Sequence, residues 1–267
     1  MIWTTRPRSE GAGALAYFAQ GDGPPLVLIH GVGLRAEAWC AVVPKLADRY
    51  RVICLDMPGH GASGLDESTT LFDFRDRIII FLASLEGPLC LAGHSMGALL
   101  SIEAASRLPD KVRAVAGLNT VYKRSPDARR AIVDRAAQLT SAQAPDPAPT
   151  LARWFGDEPE GADASCASAC REWLTTGNAE GYAAAYRVFA QTDGPDDTSL
   201  HALECPALYL TGAQDPNSTP AMSRALAATS PLGQSSVLDD AAHMMPMTHP
   251  HQIATHFVQF FDVPRNA

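Results

Sequence analysis

Short, unbroken apolar runs alternate along this chain with longer segments in which apolar positions recur at helical spacing. Residues 14–20, 25–30 (PLVLIH), 51–56 (RVICLD), 88–93 (PLCLAG), 112–118, 207–212 (ALYLTG) and the weaker 234–238 read as strands. Most of these runs are apolar throughout and bounded by turn residues, which marks strands covered on both faces and therefore a largely parallel sheet. Helical periodicity fills the gaps at 71–85, 95–108, 220–229 and 250–261. Strand–helix alternation of this kind predicts an α/β protein with a doubly wound, mostly parallel sheet.

The rhythm stops between residues 119 and 200. That stretch is rich in Ala, Asp and Pro and holds no strand-like run. Helical patterns occupy 126–139 and 179–191, and 142–149 (AQAPDPAP) reads as a loop. The expected organisation is a core built from 1–118 and 201–267, with 119–200 as a helical lid insertion over the strand ends. A length of 267 residues suits a single α/β domain. Apolar residues make up 46% and charged residues 19%, an ordinary globular balance.

A formal charge of −8 speaks against nucleic acid as a partner and offers no attraction to anionic lipid. The first ten residues carry Arg6 and Arg8 but no apolar core of signal-peptide length, and residues 78–85 are too few to span a bilayer. A cytoplasmic protein with no membrane partner is expected. None of the six cysteines forms a CxxC pair; Cys54 and Cys90 sit within strands as small apolar residues, and Cys166 and Cys170 share a helical spacing without further ligands nearby. No metal motif, phosphate loop or other cofactor signature is present, so neither a metal nor a cofactor is expected.

The chemistry begins at Gly93-His94-Ser95-Met96-Gly97. A strand runs into Gly93 and a helix starts after Ser95, the strand–turn–helix setting in which a nucleophilic serine is lifted clear of a sheet. Such a hydroxyl needs a base. Of the eight histidines, His30, His60 and His94 lie in glycine turns and His249, His251 and His256 lie at or in the last helix, while His201 is the nearest rival. His243 follows the last strand and precedes the last helix, at the carboxyl edge where open α/β sheets bind ligands. Asp215 follows ALYLTG directly, at the same edge, and is the expected acid behind His243. The other position for an acid, after the strand ending at Leu118, offers Asn119 and Thr120 but no carboxylate. The Ser, Asp, His order agrees. Backbone N–H groups of Met96 and of Val32, in the loop His30-Gly31-Val32-Gly33, are the candidate oxyanion donors.

A competing pattern, Gly31-x-Gly33-x-x-Ala36 with Asp56 some distance on, imitates a dinucleotide fingerprint and would imply an NAD(P)-dependent oxidoreductase. That reading leaves Ser95, Asp215 and His243 as coincidence. A non-catalytic binding module is the other distant alternative, and its mark would be a damaged triad.

Together, HGVG at 30–33 with Trp39 after it, DMPGHGAS at 56–63, GHSMG at 93–97, GAQDP at 212–216 and AAHMMPMTHP at 241–250 resemble the α/β-hydrolase superfamily from about residue 25 to residue 260. The small carboxylesterase and 3-oxoadipate enol-lactonase group is the most similar part, with lid fragments Arg153-Trp154-Phe155 and GYAAAY at 181–186. The resemblance implies a serine hydrolase acting on a carboxylic ester or lactone of a small molecule. Met244 stands where C–C hydrolases of this kind carry Trp, which speaks against C–C cleavage, while Ala98 gives GHSMGA as in type II thioesterases; thioester and C–C cleavage are the alternatives to an ester or lactone. The expected pocket comprises His94, Trp154, Phe155, Tyr182, Tyr186, Arg187 and Met244, with Arg153 or Arg187 available to a substrate carboxylate. Tyr182, Tyr186 and Phe189 share one helix stripe, which serves either substrate contact or packing of the lid on the body.

Overall fold

A computed structural model describes residues 2–66 and 70–262. Its strands are β1 (Ser9–Gly11), β2 (Leu15–Gln20), β3 (Pro25–Ile29), β4 (Arg51–Leu55), β5 (Leu89–His94), β6 (Val112–Leu118), β7 (Ala207–Gly212) and β8 (Gly233–Leu238). They form one sheet in the order β1-β2-β4-β3-β5-β6-β7-β8. Pairing is antiparallel at β1/β2 and β2/β4 and parallel from β4 to β8. Every expected strand is present. The short edge strand β1 was not legible, because Ser-Glu-Gly carries no apolar signal.

Helices α1 (Leu71–Ser84) and α2 (Met96–Ala105) flank β5 in the chain. The period of two along each strand sorts side chains to opposite faces. Val27, Ile29, Ile53 and Leu91 pack with Phe74 and Ile78 of α1 and Leu100 of α2. Leu26, Leu28, Val52, Cys54 and Cys90 pack on the other face with Trp39. Helix α2 is buried at all ten positions, so its pattern is apolar all round rather than one-faced. A capping box between Thr70 and Asp73 starts α1.

Between β6 and β7 come α3 (Pro126–Ala137), α4 (Ala148–Phe155), α5 (Gly161–Thr176), α6 (Ala179–Gln191) and α7 (Asp197–His201), and no strand. Helix α5 escaped the sequence reading because its buried face is built largely from small residues, Cys166, Ala167, Ala169 and Cys170. Helix α4 opens at Ala148, so the loop read at 142–149 ends slightly sooner. Helix α3 packs on α6 and α4 on α5, whereas α7 packs on α2 and on α8 (Pro220–Thr229). The last described elements are α9 (Met245–Thr248) and α10 (Pro250–Phe261), and Ile253, Phe257 and Phe261 of α10 complete the second face of the core.

Strand order fixes the ligand crevice. The chain leaves β3 for β4 on one side, and leaves β5 for β6 on the other. Ile29 of β3 and Gly93 of β5 are register partners, so the loops after them diverge from neighbouring strand ends. A crevice at such a switch point is where open α/β sheets hold ligands. Among the described residues, no helix is long and apolar enough to cross a membrane. All six cysteines are buried and none is in a disulfide.

Candidate active site

Ser95 occupies the turn between β5 and α2 with φ 56° and ψ −119°, a backbone conformation that L residues rarely adopt. Its N–H donates to Leu118 O at 2.8 Å, tying the turn to the end of β6. Glycine is required on both sides. A Cβ on Gly93 would collide with the Gly97 backbone, and one on Gly97 with the carbonyls of Ile29 and His30. The turn is thus pressed against the neighbouring strand end, which is why its hydroxyl stands at the crevice.

His243 lies between β8 and α9. Its Nδ1–H donates to Asp215 Oδ2 at 2.7 Å, with the Asp215 side chain fully buried and His243 7% exposed. The same Oδ2 accepts Asn119 Nδ2–H at 2.7 Å, and Oδ1 accepts the Asn217 N–H at 2.8 Å. Burial by itself would raise the Asp215 pKa. The His243 contact and the Asn217 and Asn119 donors outweigh it and hold the carboxyl at about 2. Asn119 also donates to Ala242 O at 3.3 Å, so it fastens both the carboxylate and the loop that carries His243.

His94 points back from the Ser95 turn, and its Nε2–H donates to His243 O at 2.8 Å. Burial, helped by the nearby His243, lowers its pKa to about 3, so the ring is neutral with its tautomer fixed. Trp154 stacks on the His243 ring with centroids 6.2 Å apart and planes at 22°.

In the loop after β3, Leu34 N–H donates to Gly31 O at 3.2 Å and Gly33 N–H to His60 Nε2 at 3.0 Å. His60 Nδ1–H donates to Pro58 O, while His30 donates to Gly31 O and accepts the Met57 N–H. Both rings are neutral; burial holds His60 below its usual range and His30 at about 3. These two histidines brace the loop. Among the described residues, the Val32 and Met96 N–H groups have no partner, as the first N–H groups of a helix such as α2 require of Met96.

Ser95, His243, His94, Val32, Trp154, Tyr182 and Tyr186 all line one cavity of about 470 Å³. Three expected pocket residues lie elsewhere. Phe155 and Met244 line a different hollow beyond Trp154, because each immediately follows a cavity residue and the chain has turned away. Arg187 is one position round α6 from Tyr186; it is exposed and donates to Leu139 O at 2.9 Å. Arg153 does line the cavity, and Arg135 of α3 joins it. Arg135 was missed, although Ala128, Ile132 and Arg135 fall on one α3 face. In the sequence Asn119 stands out only as the absence of a carboxylate after β6.

Asp56, the acid of the dinucleotide pattern, is fully buried. It pairs with Arg8 Nε at 2.7 Å and accepts the Ala36 and Ala62 N–H groups. These partners are structural and leave it turned away from any ribose. Among the described residues, no group of three or more His, Cys, Asp or Glu is placed to hold a metal ion.

The model of the Alpha/beta hydrolase family matches residues 26–256. An (E)-2-((N-methylformamido)methylene)succinate hydrolase of Acinetobacter baylyi is 43% identical over 239 residues, covering 89% of this chain and 90% of that one. The 3-oxoadipate enol-lactonase 2 of the same species is 31% identical over 76% of each chain. Among solved structures, a thermophilic esterase from Thermogutta terrifontis superposes with a TM-score of 0.82 at 26% identity, covering 96% of this chain and 98% of that one. An enol-lactonase from Burkholderia xenovorans LB400 gives 0.83 at 24% identity over 96% and 100%, a likeness of fold.

Proposed function

The chain belongs to the alpha/beta hydrolase family, and from that premise we propose that it is a serine hydrolase cleaving a carboxylic ester or lactone of a small substrate, with Ser95 as nucleophile, His243 as base and Asp215 as acid. The observation that carries this reading is the 2.7 Å His243–Asp215 hydrogen bond on the wall of the cavity that Ser95 enters from a strained turn. Residues 119–200 act as the lid, with Trp154, Tyr182 and Tyr186 as its cavity face.

His243 Nε2 takes the Ser95 proton as Oγ attacks the substrate carbonyl. The Val32 and Met96 N–H groups receive the negative charge that forms on the carbonyl oxygen. The C–O bond to the leaving alcohol then breaks, and His243 returns the proton to that alcohol. Water repeats the sequence on the acyl-enzyme, releasing the acid and restoring Ser95. Asp215 keeps the Nδ1–H in place and offsets the imidazolium charge; with its carboxyl at about 2 it is ionised throughout the working range. A lactone follows the same path, with the leaving oxygen still tethered.

A second reading has its own support. The relative at 43% identity is named for an (E)-2-((N-methylformamido)methylene)succinate, which favours a substituted methylenesuccinate over a plain ester while keeping attack on a carbonyl. Hydrolysis of p-nitrophenyl butyrate by wild type and by Ser95→Ala, with a serine-directed phosphonate as label, tests the nucleophile. Turnover and labelling in wild type and neither in the variant are expected; equal turnover in both would remove Ser95 from the scheme. A panel of esters, lactones and amidomethylene succinates then separates the two substrate readings.

A further inference from the structure

Gly31 and Gly33 flank Val32 and are held by different parts of the molecule. A Cβ on Gly31 would come within 3.1 Å of Ser95 Cβ, and one on Gly33 within 2.6 Å of Leu174 Cδ2 on lid helix α5. The aim of the Val32 N–H is set by its peptide plane. The other end of that plane, Gly31 O, accepts His30 Nδ1–H at 2.8 Å and Leu34 N–H at 3.2 Å. Next to Leu34 stands Arg35, whose side chain meets both the lid and residues 3–8. We infer that Arg35 is a positioning residue, clamping α5 and residues 3–8 onto this loop so that seating of the lid fixes the Val32 N–H as an oxyanion donor.

Arg35 Cζ lies over the Trp173 ring, 5.3 Å from its centroid, and Trp3 meets the same indole edge-on with centroids 6.3 Å apart and planes at 80°. Trp173 is buried on α5 beside Leu174. Its Nε1–H has no hydrogen-bond partner, so the indole is held by contacts to its ring. A guanidinium over an aromatic face is attracted to it, more strongly where water is excluded. Arg35 Nη2 also donates to Thr5 Oγ1 at 3.1 Å. The segment that brings Trp3 and Thr5 is itself pinned to the body. Arg6 N–H donates to Glu37 Oε1 at 2.8 Å, and Arg8 pairs with Glu37 and Asp56. Neutralising Glu37 does not account for Arg35. Arg8 already meets both Glu37 oxygens, at 2.9 and 2.6 Å, whereas Arg35 Nε stands 3.4 Å from Oε2 and makes no hydrogen bond.

The role rests on the proposed Ser95 chemistry, in which Val32 is a donor, so one arm of the test needs no turnover. Hydrogen exchange is followed in the intact wild-type protein, Arg35→Met and Trp3→Ala. Exchange in α5 and in residues 31–35, relative to β5 and β6, should quicken by about tenfold or more in both variants; an unchanged rate in either segment overturns the clamp. Propyl trifluoromethyl ketone reads the oxyanion donors directly: Ser95 Oγ adds to its carbonyl, the proton passes to His243 and the charge to the carbonyl oxygen. In both variants kcat for p-nitrophenyl butyrate should fall about tenfold, less than removal of a whole oxyanion donor costs, at a KM within about twofold of wild type. The inhibition constant of the ketone should rise by the same factor. A kcat held at the wild-type value, or a loss of kcat with no loss of ketone affinity, overturns the role. Arg35→Lys, which keeps a cation over the indole, should fall between. The double variant should lose no more than the worse single one, because both changes release one clamp, and losses that multiply overturn it. If wild type neither hydrolyses the ester nor binds the ketone, the Ser95 reading falls, and the exchange result alone decides whether lid and loop are clamped.

Discussion

Asn119 offers the sharpest test of how the acid is held. It sits at the end of β6 with φ 51° and is fully buried. Its backbone is fixed independently, by donation to Leu210 O and acceptance from the Ser218 hydroxyl. Glycine tolerates that φ without strain, so Asn119→Gly removes the side chain and keeps the turn. The change deletes a hydrogen bond to an ionised carboxylate, an interaction contributing about 1.5–3 kcal/mol. It also deletes the buried Asn119 Oδ1, which has no partner and costs about 1–3 kcal/mol as it stands. The two terms nearly cancel in stability, and loss of the longer bond to Ala242 O leaves a net cost of about 1 kcal/mol. They do not cancel in catalysis, because Oδ1 touches nothing catalytic whereas Nδ2 holds the oxygen that receives His243 Nδ1–H. Asp215 stays ionised at neutral pH in the variant, since its pKa of about 2 lies far below 7 and the His243 and Asn217 contacts that hold it down remain. What is lost is orientation. At 1.4 kcal/mol per tenfold, kcat should fall on the order of 10- to 100-fold. KM for p-nitrophenyl butyrate should hold, and the urea midpoint should move little. A kcat within twofold of wild type in a folded protein would refute a positioning role for Asn119.

Four further outcomes follow from the same contacts. Ser95→Ala should lower kcat by roughly 10³ to 10⁶, and Asp215→Asn by around 10⁴, in steady-state hydrolysis of p-nitrophenyl butyrate; a wild-type rate in either removes that residue from the proposed triad. Asp215 has a folded pKa of about 2 against an ordinary 3.8, so its ionised form favours the fold; roughly 2 kcal/mol of stability is present above about pH 4 and is lost as pH falls through about 2. Urea unfolding across that range should show a shallower acid limb in Asp215→Asn, and superimposable limbs would contradict the assignment. Arg8→Met should leave the fully buried Asp56 without its ion-pair partner and Glu37 with only the 3.4 Å contact to Arg35, and cost about 3–5 kcal/mol, read from urea midpoints; a loss under 1 kcal/mol would be incompatible with the pairing described. Gly97→Ala should force the Ser95 turn away from β3 and abolish phosphonate labelling, whereas a normally labelled variant would show that the close approach at His30 O is not required.

What the sequence determined was local, or ordered along the chain. Strands such as β6 and β7 are legible residue for residue because burial on both faces demands an unbroken apolar run. That Ser95, Asp215 and His243 lie near one another is legible because each follows a strand, and in a parallel sheet the residues after the strands share one edge. The tertiary structure decided everything that depends on angle around a helix or on contacts between distant segments. One step along α6 separates Tyr186 in the cavity from Arg187 in solvent, and one step along α4 separates Trp154 from Phe155. Arg135 and Arg153 come to line one cavity only through the packing of α3 on α6 and of α4 on α5. Asn119 reaches Asp215 across a sequence gap of 96 residues, by a strand pairing that no local pattern encodes. A side chain's chemistry is written in its own residue, but its partner is set by register and helix rotation, which belong to the packed molecule as a whole.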